Sequence, residues 1–123
     1  MLTLPLAKRA ASEFMGTCFL VAGVVGSGIM AERLSGGSVA FALLANTLAT
    51  GAILVALILA FGSISGAHFN PAVTIADALE HGIPWREVPA YTAAQLCGGS
   101  TGAAVANLMF VIWGCSHLRP GAS

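Results

Sequence analysis

Apolar positions fill three long runs of the chain, and most charged positions lie at or near the joints between them. The runs extend from Phe14 to Ala31, from Val39 to Phe61 and from Val88 to Trp113. As helices rising 1.5 Å per residue they would reach about 27, 34 and 39 Å, against a hydrocarbon thickness of about 30 Å. Hardly any polar face is left to meet water, which disfavours three buried core helices of a soluble domain. The pattern predicts an all-α membrane protein with three transmembrane helices, spans 14–31, 39–61 and 88–113, forming a single unit over 1–123.

Between the second and third runs the pattern breaks. "GSISGAHF" has two glycines and two serines and neither a helix nor a strand period, after which "NPAVTIADALEH" resumes helical character. Asn70 is a favoured N-cap and Pro71 suits the first helical position, where its missing N–H costs nothing. Gly82 and Pro84 are stop signals, so a helix is expected from about Pro71 to about His81, some 16 Å or roughly half the hydrocarbon thickness. Ala72, Val73, Ile75, Ala76, Ala78 and Leu79 cover nearly all its faces, which does not suit a helix lying at the interface. Segment 62–81 therefore reads as a re-entrant loop and half-helix that returns to the side it came from.

Composition supports a membrane setting. Of 123 residues 57% are hydrophobic and 8% charged, where a soluble domain carries about a quarter charged; the mean hydropathy is +0.87. Lys8 and Arg9 precede the first run as the basic region of a secretory signal would, but Glu13 at its start, its length and the spans that follow favour a retained signal anchor. Cys18, Cys97 and Cys115 show no CxxC spacing and read as small packing residues, with no disulfide framework, metal or other cofactor implied. Lys8, Arg9 and Arg86 outnumber Arg33 and Arg119 across the membrane by one residue, which favours a cytoplasmic N-terminus. Membrane lipid is an expected partner and nucleic acid is not.

Within the runs, Gly16, Gly23, Gly26 and Gly28 let helix backbones approach closely, and Ala94, Gly98, Gly102 and Ala106 recur every four positions as a smooth ridge. Glu13 and Gln95 are polar groups inside spans and need protein partners or a water-filled cavity; an interfacial charge with water access is the alternative for Glu13. Irregular backbone at membrane depth is tolerated only where it is buried in protein or lines a wet cavity. An aqueous path is thus predicted, with acceptors from the carbonyls of Ile64, Ser65, Gly66, Ala67 and His68. The Asn70 amide and the positive end of the half-helix dipole would add donors and repel cations, a lining suited to a neutral solute. An intramembrane enzyme would need a paired acid and base, a metal set or an activated serine; Glu13, His68 and Ser65 have no such spacing, and no catalytic residue is assigned.

"HFNPAVT" after an apolar span closely resembles the first signature of the aquaporin or major intrinsic protein family. "SEFMGT" with "GSG" in the first run and "AQLCGG" in the third resemble that family's corresponding helices, and the likeness covers about residues 11–112. It implies a channel in which two half-helices from inverted repeats meet at the membrane centre. Asn70 would be the first of two asparagines that orient the passing molecule, with Pro71 and Ala72 completing the contact. Glu13 would bond the loop backbone, Gln95 would occupy a buried polar position, and the carbonyl of His68 would face the pore. The imidazole of His68 is read as a structural hydrogen-bonder, since no second metal ligand lies at useful spacing. Thr50, twenty residues before Asn70, matches a selectivity-filter position that is commonly aromatic in strict water channels. A wider filter admitting glycerol or undissociated metalloid acids is expected.

The chain departs from that family in holding one repeat and one half-helix, and Val73 stands where the family's second motif carries its filter arginine. A shortened product of a complete channel gene, a half-channel pairing with an inverted copy of itself, and pairing with a separate second half are the three expectations. The competing one is a non-conducting membrane fragment that packs through its glycine ridge. The family resemblance implies homo-oligomers and, for this chain, a bacterial inner or plasma membrane.

Overall fold

The computed structural model describes residues 4–117, with side chains as far as Gly114. Cys115 and Arg119 lie outside the described side chains. Four α-helices follow in chain order: α1 (Leu6–Leu34), α2 (Val39–Ser65), α3 (Pro71–Leu79) and α4 (Val88–His117), the last preceded by a single 3₁₀ turn at Trp85–Glu87. No strand occurs among the described residues. Three of the helices are long and apolar enough to cross a membrane, and the chain is an all-α membrane protein.

Hydropathy marks where a chain crosses lipid, whereas backbone bonding sets where a helix ends, and the two differ here. The helix α1 begins eight residues before Phe14, because the Pro5 carbonyl accepts from Lys8 N at 3.0 Å and Arg9 N at 3.2 Å and the following residues are good helix formers. Glu13 therefore lies well inside the helix. At the other end, α2 continues four residues past Phe61 and stops where Gly66, at φ 91°, takes the left-handed conformation and donates its N–H to the Gly62 carbonyl at 3.0 Å. Ile64 and Ser65, expected in the irregular loop, are in fact the last turn of α2.

The half-helix α3 starts at Pro71 and is nine residues long, about 14 Å. Its end comes at Leu79, ahead of His81, because His81 turns to φ 65° and Gly82 N bonds back to the Asp77 carbonyl at 2.8 Å. Pro89 sits in the first turn of α4, where a proline removes no intrahelical bond.

The helix α1 lies between α2 and α4, while α3 rests on α4. Two glycines on α4 make the closest approach: a Cβ at Gly98 would run into the Phe14 carbonyl oxygen, and one at Gly102 into that of Cys18. On the other side Ile53 of α2 sits over Gly23. Gly16 faces the ring of Phe69, which occupies the space a side chain there would need.

The interior is polar and the exterior apolar. Arg9, Ser12, Glu13, Thr17, Ser65, Thr74 and Gln95 are buried, whereas Val39, Leu59 and Leu34 stand 73–80% exposed. Such a surface fits lipid or protein, since water would leave its apolar area unburied. Overpacking the α1/α4 seam by Gly102→Leu is expected to cost about 1–3 kcal/mol. In detergent the variant should melt several degrees below the parent, while Gly51→Leu, at a position that meets no atom within 4 Å, should melt with it.

Candidate functional site

The irregular segment from Gly66 to Asn70 is short and sharply folded, and its shape is imposed from outside. Ala67 and Phe69 have φ of 52° and 54°, a region that costs a non-glycine residue about 1–3 kcal/mol. What holds them there is the carboxylate of Glu13, fully buried on α1. Its Oε1 accepts from His68 N at 3.0 Å and from Ser65 Oγ at 2.6 Å, and its Oε2 accepts from Phe69 N at 2.7 Å and from Gln95 Nε2 at 2.9 Å. Hydrogen bonds to a charged group contribute about 1.5–3 kcal/mol each, enough to offset the backbone strain. Four donors from α2, the loop and α4 thus meet one side chain.

Gln95 extends the cluster. The carboxylate can only accept, which fixes the amide nitrogen of Gln95 towards it, and the same Nε2 donates to Thr74 Oγ1 at 2.8 Å. Thr74 is fully buried on α3; its hydroxyl lies 3.2 Å from the Asn70 carbonyl and 3.1 Å from His68 Nδ1. With one proton for two neighbours, Thr74 leaves Nδ1 as the donor whenever it bonds the carbonyl. The other ring nitrogen of His68 is 3.6 Å from Asp77 Oδ2. Phe69 wedges the loop from below, edge-on to Phe61 at 6.2 Å between ring centroids.

Asn70 is the product of this arrangement. Its Oδ1 accepts from Ala72 N at 2.9 Å and caps α3, so the acceptor of the amide is spoken for and its nitrogen makes no hydrogen bond among the described residues. Asn70 and Ala72 are exposed, and Pro71 is half-buried. The N–H groups of His68 and Phe69 point to Glu13, and among the described residues nothing donates to the carbonyls of Gly66, Ala67 or His68. A cleft of about 320 Å³ lined by Gly66, His68, Val73, Ala76, Asp77 and Glu80 adjoins these groups.

Two of the residues expected to offer carbonyls do not belong to this lining. The Ser65 carbonyl accepts from the Tyr91 hydroxyl at 2.9 Å and its own hydroxyl serves Glu13. Ile64, one residue earlier in α2, borders an apolar cleft with Phe61, Met15 and Leu4. Thr50 is half-buried on α2, about 22 Å along the helix from Ser65, and takes no part in the Glu13 cluster. One turn before it, Asn46 accepts from Ser27 Oγ at 2.8 Å and lines a cleft of about 390 Å³ with Gly28 and Glu32.

Thr74, Tyr91 and Phe69 escaped the sequence reading. Tyr91 lies four residues before Gln95 and Thr74 four after Asn70, one turn from residues already singled out. That spacing was the available signal. For Phe69 nothing local distinguishes it from any other apolar residue.

A short helix entered through a strained loop, capped by an Asn-Pro pair and seated on a buried Glu–Gln pair, stands beside three helices of spanning length in an all-α membrane protein. Residues 1–118 match the family described as Major intrinsic protein, and the chain belongs to that family. It is 52% identical over 105 residues to the aquaglyceroporin AqpS of Rhizobium meliloti, covering 85% of this chain and 45% of that protein. Aquaporin NIP1-1 of Oryza sativa is 38% identical over 108 residues, covering 88% of this chain and 37% of the relative. An aquaporin of Laccaria bicolor is 40% identical over 122 residues, covering 94% and 45%. The chain thus spans less than half the length of these relatives.

Glu13→Gln replaces an oxygen by an NH₂ group and leaves at least one loop donor unpaired, a loss of about 1–3 kcal/mol. Faster amide hydrogen exchange is expected at His68 and Phe69, with the middle of α4 unchanged.

Proposed function

We propose that this chain forms one wall of a membrane path for passive flux of water or small uncharged solutes. The observation that carries the reading is Asn70: its oxygen is tied to the half-helix, and its amide nitrogen is left as a donor on an open face. Beside it the carbonyls of residues 66–68 offer acceptors, so a passing molecule that both donates and accepts finds partners in sequence. The positive end of α3 lies at the same place and opposes cations. No bond is made or broken on this path, and the protein is not an enzyme.

The similarity to an aquaglyceroporin supports glycerol as a solute, and Thr50, small and polar at the filter position, supports a bore wide enough for glycerol or undissociated metalloid acids. The described residues leave Val73 and Ile75 of α3 46% and 43% exposed, so the path needs a second wall. An inverted copy of the chain or a second half-channel would supply it, in a homo-oligomer or a mixed assembly. A bacterial inner or plasma membrane, with the N-terminus in the cytoplasm, is the setting proposed.

The same exposed α3 face favours a second reading, a non-conducting chain that only packs in the membrane. Stopped-flow swelling of vesicles carrying the purified chain separates the two. Flux of water, glycerol and arsenite above that of protein-free lipid, lost in Asn70→Asp, is expected; Thr50→Phe should suppress glycerol and arsenite and spare water. Swelling of wild-type vesicles at the rate of empty lipid would support the non-conducting reading, and water flux with glycerol and arsenite excluded would refute the wide filter.

A further inference from the structure

At the end of the bundle where α1 begins and α4 begins, a buried ion pair stands apart from the Glu13 cluster. Arg9 is 4% exposed and its guanidinium meets Glu87 as a fork, NH1 to Oε2 at 2.8 Å and NH2 to Oε1 at 2.9 Å. The third nitrogen, Nε, donates to the Leu4 carbonyl at 3.1 Å. A pair so placed would be expected only to clamp α1 to α4. However, NH1 also lies 3.4 Å from the hydroxyl oxygen of Tyr91, and the guanidinium carbon stands 5.9 Å from the centre of the tyrosine ring.

That contact gives the pair a direction. Tyr91 is fully buried, accepts from Arg9, and donates its own proton to the Ser65 carbonyl at 2.9 Å. A donor that accepts from a cation is polarised and becomes a stronger donor. Its acceptor is one of the last carbonyls of α2, which have no partner within the helix. Ser65 is also the residue whose hydroxyl reaches Glu13 at 2.6 Å and receives Ala67 N at 3.2 Å. The ring of Tyr91 meanwhile lies 5.3 Å from that of His68.

We propose that Arg9, Glu87 and Tyr91 are positioning residues for the solute path: the ion pair sets the Tyr91 hydroxyl, which fixes the end of α2 and so aims residues 66–69 and the Asn70 amide. The inference rests on the channel reading for its consequence, since a misaimed Asn70 matters only where something passes. Its geometric part does not depend on that reading.

Tyr91→Phe removes one oxygen and keeps the ring against His68 and the Ala78–Ile83 cluster, so the variant is expected to fold. In the full chain reconstituted in lipid, amide exchange at Ala67, His68 and Phe69 should rise about tenfold, as for the loss of one well-made hydrogen bond, with the middle of α1 and α4 unmoved. Arg9→Lys keeps the charge without the fork and should raise the same amides by a smaller factor. In vesicles that conduct, both variants should shift the ratio of glycerol to water flux. Exchange that is unchanged in Tyr91→Phe, or raised equally along every helix, would overturn the brace. Raised exchange confined to the loop, in a chain whose wild type does not conduct, would uphold the brace and reject the channel reading.

Discussion

One carboxylate organises this fold. Glu13 sits in the protein interior, where an ion without partners would cost several kcal/mol, and it survives there because four donors reach its two oxygens. Each donor belongs to a part of the chain that must lie in one place for the site to exist: the end of α2, the loop, and the eighth residue of α4. In lipid, helices associate through close packing of small residues together with interhelical hydrogen bonds, and the Glu13 cluster supplies the latter. The glycine seam and the polar contacts agree on one register. Gly98 and Gly102 then let α1 come close enough for Gln95 to reach across.

The same cluster explains how a strained loop persists at the start of a half-helix. Two non-glycine residues at positive φ surround His68, and the two N–H groups they turn inward are those that Glu13 receives. The carbonyls are left on the opposite side by the geometry of the peptide plane. A donor-facing support and an acceptor-facing lining are thus two sides of one backbone. Asn70 follows in sequence and finishes the change of polarity, with its oxygen directed to the helix and its nitrogen away from it.

Much of the architecture was legible in the sequence because the bilayer simplifies the code. Three apolar runs of spanning length, an Asn-Pro start and a Gly-Pro stop mark the helices and the half-helix in the sequence itself. Helix ends were less legible: the residues from Leu6 to Glu13 and from Gly62 to Ser65 carry polar groups that hydropathy reads as loop, yet Ser12, Glu13 and Ser65 turn inward to one another and Arg9 turns inward to Glu87 and Tyr91. Glu13 and Gln95 announced themselves as polar residues in lipid. Tyr91 and Thr74 did not, since a tyrosine near an interface and a threonine in a half-helix are both ordinary, and only the fold shows what their hydroxyls touch. Ile64 and Ser65 were misplaced because the two glycines and two serines of 62–66 read alike as loop, and the sequence does not reveal that the helix holds until Gly66.

The sequence distances within the Glu13 cluster carry a consequence for biosynthesis. Its partners lie 52, 55, 56 and 82 residues further along the chain, so all are made after Glu13, and Gln95 well after the other three. During that interval α1 carries an acidic group and, with Arg9, a basic one, both without the companions they have in the finished fold. The partners of the first helix are therefore complete only when α4 and the turn before it are present to supply Gln95 and Glu87. A chain that stopped before Trp85 would offer the carboxylate only Ser65, His68 and Phe69, and would leave Arg9 without Glu87 and Tyr91.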